Sequence, residues 1–141
     1  MNLFRKEPEK IRPRSAVVGE WGEDISAAFL KDAGYKILGR NVRPDKRDEI
    51  DVVVRDKDTL VFVEVKTRKS ENFGSPVSAV KEDKRHALNR AAAAFLRKAD
   101  YPDMYYRFDV IEVIGEPEDD NPEVRHIENA FPFEKRFKFP V

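Results

Sequence analysis

Two apolar runs in residues 49–66, EIDVVVRDKDTLVFVEVK, carry Glu49, Asp51, Glu64 and Lys66 among their β-branched and aromatic residues. Side chains alternate across a strand. Glu49, Asp51 and Val53 therefore share one face of the first run, and Ile50, Val52 and Val54 the other. In the second run Leu60, Phe62, Glu64 and Lys66 share a face, opposite a wholly apolar row of Val61, Val63 and Val65. The short polar turn RDKDT joins the runs as an antiparallel hairpin. Asp51 and Glu64 are similarly distant from its centre, so they become neighbours, and Lys66 follows Glu64 by about 7 Å, two strand rises.

That arrangement has a chemical use. Two carboxylates on adjacent strands can hold a hard divalent cation, Mg²⁺ or Mn²⁺, which takes few protein oxygens and keeps part of its water shell. Beside a phosphodiester, the ion polarises a phosphoryl oxygen and lowers the pKa of a bound water. A lysine two residues on stabilises developing negative charge or helps deprotonate the attacking water. The competing account is a wet strand face with a cross-strand ion pair. Against it, Leu60 and Phe62 share the face with Glu64, and the charges gather at one end of the hairpin.

The elements that must position these groups follow from periodicity and punctuation. Val17, Trp21, Ile25, Ala28, Phe29 and Leu30 recur at helical spacing over 15–33, with Ser15 at the start and Gly34 at the end. Short strands are expected at 35–41, 48–54 and 60–67, then a loop over 68–80 containing Gly74 and Pro76. A second helix over 81–99 turns Leu88, Ala92, Phe95 and Leu96 inward, a strand follows at 107–114, and an edge strand at 124–130. The strand–helix–strand unit from 60 to 114 predicts a right-handed crossover between parallel strands. The expected class is α/β, in the order α-β-β-β-α-β, with a mixed central sheet flanked by helices. Residues 1–14 read as a flexible arm, 15–130 as one domain, and 131–141 as an aromatic and basic tail.

The chain has 141 residues and no net charge, so bulk charge selects no partner. Its distribution is less even. Residues 36–98 hold 16 Lys and Arg against 10 Asp and Glu, whereas residues 108–128 hold one Arg and eight acids. A local basic surface suits a polyanion. There is no cysteine, which rules out disulfides, thiolate metal sites and a cysteine nucleophile, and fits a cytoplasmic location. No apolar run is long enough for a transmembrane helix, and the opening MNLFRKEPEKIRPR lacks the apolar core of a signal peptide.

Three segments, GEWGEDISAAFLKDAGYKILGRN, DEIDVVVRDKDTLVFVEVKTR and FGSPVSAVKEDK, together resemble the YraN family of small bacterial proteins across roughly residues 17–114. That family is similar to the PD-(D/E)xK nucleases, which include restriction endonucleases and Holliday-junction resolvases. The resemblance implies a restriction-endonuclease-like fold and a metal-dependent endonuclease hydrolysing DNA phosphodiesters, with structured or branched DNA as a candidate substrate. It implies Asp51 and Glu64 as ligands of Mg²⁺ or Mn²⁺, the Val65 carbonyl as a third ligand, and Lys66 as the catalytic lysine. The acidic residue of the first helix maps to Glu23, with Glu20 as the fallback. Dimerisation is implied by analogy with the resolvases. The family usually has glycine before the EID triplet, and here stands Asp48, which either crowds the site with negative charge or faces solvent.

Lys84, Arg85, Arg68 and Lys69 are candidate phosphate contacts, Lys84 first because it lies in the third segment. His86 and His126 lack metal-ligand spacing and read as structural or exposed. Two other functions compete with the nuclease: a nucleic-acid-binding protein of this fold without useful catalysis, and a protein-interaction module using the aromatic tail.

Overall fold

The computed structural model describes residues 11–70, 80–100 and 102–137. Helix α1 (Arg14–Asp32) leads into strands β1 (Lys36–Val42), β2 (Ile50–Asp56) and β3 (Thr59–Arg68). Helix α2 (Glu82–Lys98), strands β4 (Tyr105–Ile114) and β5 (Glu123–Phe131), and a short 3-10 turn (Lys135–Phe137) complete the order. Each expected element is present, with ends moved by up to two residues.

The five strands form one sheet in chain order. β1 with β2, β2 with β3, and β4 with β5 are antiparallel, and β3 with β4 is parallel, as the crossover through α2 requires. The hairpin register runs Asp56–Thr59 to Val52–Val63 and leaves Lys57 and Asp58 as its turn, with Lys57 at φ 55°. The FGSP part of the expected loop and the extreme ends of the chain lie outside the described residues.

Each face of the sheet carries its own core. On one side Val53, Leu60, Phe62, Phe108 and Val110 meet Leu88, Ala91, Ala92 and Leu96 of α2. On the other, Val52, Val54, Val61, Val63, Ile111 and Val113 meet Leu30 of α1 and Tyr35. The valine rows of β2 and β3 are thus buried on both faces, as central strands should be.

The face that α1 presents differs from the apolar stripe expected. Its fully buried positions are Gly22, Ser26 and Leu30, while Trp21, Ile25 and Phe29 flank them and Ala28 is exposed. Small residues in the centre let the helix sit close to the sheet, and the Ser26 hydroxyl satisfies itself by donating to the Gly22 carbonyl (2.8 Å). Residues 131–137, set apart in the sequence as tail, are partly core. Phe131 stacks on Phe108 at 4.7 Å between centroids, Phe133 packs beside it, and Glu134 meets His86.

On the α1 side, Asp109 is fully buried and fully satisfied. It accepts from Arg107 (3.0 Å) and from the Asn129 N–H (2.9 Å), and pairs with His126 (2.7 Å). These contacts hold its carboxyl below the usual range against the opposing effect of burial. His126 is structural, as its lack of ligand spacing implies.

Candidate active site

The site forms where β2 and β3 part. Their pairing stops at Val52–Val63, and the next cross-strand positions are Asp51 and Glu64. Asp51 ends the ladder chemically: its Oδ2 accepts the N–H of Val65 (2.8 Å), which a further β2 residue would otherwise have taken. A strand residue projects its N–H and C=O from the same edge. The Val65 carbonyl therefore faces the same opening. On the other side of β2, the register flanking Asp51 is Arg40–Val52 and Val42–Ile50, which sets Asn41 opposite it. One row across three strands thus reads Asn41, Asp51, Glu64.

Glu64 is 4% exposed, and its Oε2 is buried with no hydrogen-bond donor. Its Oε1 faces two amines, Lys66 Nζ at 3.5 Å and Lys84 Nζ at 3.8 Å. Burial and the neighbouring Asp51 push the Glu64 carboxyl up to about 7, against the pull of Lys84 and Lys66. Burial likewise raises Asp51, opposed by the Val65 N–H and Lys84. Two buried carboxyls this close cannot both ionise without a positive charge between them. They share a proton or they hold a cation. The orphaned oxygen, the facing carbonyl and the all-oxygen donor set fit Mg²⁺ or Mn²⁺.

Helix α1 adds Glu23 from the opposite face. It gets there because Gly22 packs directly on β3: a Cβ at position 22 would lie 2.2 Å from Thr67 Cγ2. Gly22→Ala should cost about 1–3 kcal/mol through overpacking. Urea unfolding of Gly22→Ala and of Gly22→Ala/Thr67→Ser measures this. The double variant, which removes the clashing methyl, should recover most of the loss, and equal losses would show that the contact is not the cause.

Glu23, Glu49 and Asp51 converge, each with a carboxylate oxygen within 4.8 Å of the others. Burial raises the Glu23 carboxyl, with a further push from Asp51 and relief from Asn41. Glu49 is held by Arg43 (2.7 Å). Glu20 pairs with Arg12 and lines, with it, the cleft that Glu23 and Glu49 also line. Glu23 and Glu49 line a cleft of about 800 Å³ with Arg12, Arg40 and Asn41, which gives the site an open mouth.

The remaining candidates separate clearly. Lys84 belongs to the site itself. Lys69 is exposed, 3.9 Å from Glu116, where an ion pair contributes little. Arg68 is nine-tenths buried and pairs with Glu112 (2.9 Å), away from Glu64. Arg85 donates to the Val80 carbonyl (2.9 Å) and lies over the Phe131 ring. Asp48 does not crowd the site: it is nearly buried and accepts twice from Arg90 of α2 (3.1 and 3.3 Å).

Sequence reasoning gave Glu49 no role and passed over Asn41. The signal for Glu49 was its place two residues before Asp51 on one strand face. For Asn41 it was an asparagine at a strand end, the residue that best tolerates a left-handed backbone outside glycine.

The model of the uncharacterised protein family UPF0102 matches residues 22–113. A UPF0102 protein of Geotalea daltonii is 46% identical over 114 residues, covering 81% of this chain and 88% of its own length. One from Geobacter sulfurreducens is 44% identical over 116 residues, 82% and 88% of the two chains. One from Clostridium botulinum is 43% identical over 115 residues, 81% and 93%. The stretch that matches contains the row of site residues, α1 from Gly22 onward and all of α2, and the chain belongs to the UPF0102 family, the one its three segments resemble as YraN.

Proposed function

We propose that this protein is a divalent-cation-dependent nuclease of the restriction-endonuclease-like kind, cleaving phosphodiesters of DNA in the cytoplasm. The observation that carries the reading is the buried Asp51–Glu64 pair with an orphaned oxygen, flanked by two lysines; Glu23 and Glu49, which lie beside Asp51, line an open cleft.

The residues divide the work. Asp51, Glu64 and the Val65 carbonyl would hold Mg²⁺ or Mn²⁺, which supplies Lewis acidity and an activated water when bound. Lys66, one-third exposed, stands beside Glu64 where an attacking water would lose its proton or a phosphorane its charge. Lys84 adds a second positive charge from the start of α2 and can meet a backbone phosphate. Glu23 approaches from α1 and closes the site on the cleft side.

The reading of a DNA-binding protein without useful catalysis drew on the zero net charge and on Asp48, and the pairing of Asp48 with Arg90 removes the second ground. The test is direct. Purified protein is incubated with duplex, flapped and four-way-junction DNA in Mg²⁺ or Mn²⁺. Cleavage of at least one substrate that stops with chelator is expected. No cutting of any substrate with either ion would remove the nuclease reading.

A further inference from the structure

Asn41 does two unusual things at once. Its backbone is left-handed, with φ 50°, at the end of β1. Its side chain reaches into a nest of acids. Acceptors lie on one side of that amide and donors on the other, so its nitrogen must face the acids and its oxygen the donors. In that orientation it donates to Glu49 Oε1 at 2.6 Å and lies 3.2 and 3.1 Å from the two oxygens of Glu23. One amide group thus ties a helix carboxylate to a strand carboxylate.

We infer that Asn41 is a positioning residue that clamps Glu23 and Glu49 into an outer carboxylate pair, which orients the water shell of the cation held by Asp51 and Glu64. This rests on the cation reading of the site. The physical case has three parts. A Mg²⁺- or Mn²⁺-type ion keeps several waters, and each needs an acceptor in a fixed direction. Glu23 and Glu49 lie beside Asp51, near enough to offer such acceptors. Left alone, two carboxylates so close would repel and swing into the cleft. The amide gives each a donor without bringing a charge that would repel the ion, while Arg43 fixes Glu49 from its outer side. Partners of this outer kind tune metal affinity by about 10–100-fold.

The left-handed backbone supplies a clean test. Glycine adopts that φ without strain, so Asn41→Gly keeps the chain path and deletes only the amide. The probe is Mn²⁺ alone, followed by electron paramagnetic resonance for affinity and by water-proton relaxation for the waters the ion retains. Asn41→Gly should bind Mn²⁺ about 10–100-fold more weakly than wild type, with altered relaxation enhancement and an unchanged thermal unfolding profile. Glu49→Ala, which removes the acceptor at the other end of the clamp, should also weaken binding several-fold. A purely structural Asn41 predicts the opposite, a glycine variant with wild-type affinity. Affinity within about threefold of wild type in both variants overturns the clamp and leaves the cation site standing. Absence of Mn²⁺ binding by wild type overturns both.

Discussion

Above neutral pH and without divalent ions, Glu64→Gln should be more stable than wild type by up to about 3 kcal/mol. At pH 4.5 the two should be nearly equal. The reason is the direction of the Glu64 shift. Its carboxyl moves from an ordinary 4.5 up to about 7 in the folded chain. Between those values the folded state holds a proton that the unfolded state has released. Stability linked to Glu64 is therefore complete below about pH 4.5 and is lost as pH rises through about 7. Asp51, raised in the same direction, adds to the trend. Glutamine carries no such proton and is insensitive to it. A divalent ion should reverse the order at pH 8, because only wild type offers the ionised pair. An ion at a thousand times its dissociation constant stabilises by about 4.1 kcal/mol, more than that deficit. Urea titrations at pH 4.5, 6 and 8, with and without Mg²⁺, read all of this. A stability difference that ignores both pH and Mg²⁺ would mean that Glu64 is neither shifted nor a ligand.

The hairpin that creates this pair was the most legible part of the chain. Alternation alone places Asp51 and Glu64 on one face, because strand periodicity is rigid and the turn between 56 and 59 leaves little freedom of register. The crossover through α2 was equally readable, since handedness permits one arrangement. What was not legible depends on contacts between distant elements. Asp48 looked like an intruder until α2 brought Arg90 to it, 42 residues along. Arg68 continues the alternation of Glu64 and Lys66, yet it turns to a buried partner on β4 that no local pattern announces. The packing face of α1 was misjudged because apolar periodicity favours large residues. Here close approach to Thr67 mattered more, and it selected Gly22 and Ser26. The acids outside the hairpin were half visible: Glu23 came from the resemblance, whereas Asn41 required the left-handed turn at the end of β1.

The two lysines should separate metal binding from chemistry. Both approach the same Glu64 oxygen, and both carry positive charge beside a site meant for a cation. Removing either lowers repulsion against the ion, so Lys66→Ala and Lys84→Ala should each bind Mn²⁺ at least as tightly as wild type. Cleavage should move the other way. Lys66→Ala should slow it by about 10²–10⁴, the usual worth of a positioned proton-transfer group. Lys84→Ala should act mainly through DNA affinity, since a phosphate contact contributes to binding and to its salt dependence. Its slope of log affinity against log salt should fall by about one. Lys66→Ala should leave that slope nearly unchanged. The opposed movements of Mn²⁺ affinity and cleavage rate carry the distinction. If the lysines only hold Glu64 in place, losing one would weaken metal binding and cleavage together, and that parallel loss would take both amines out of the reaction.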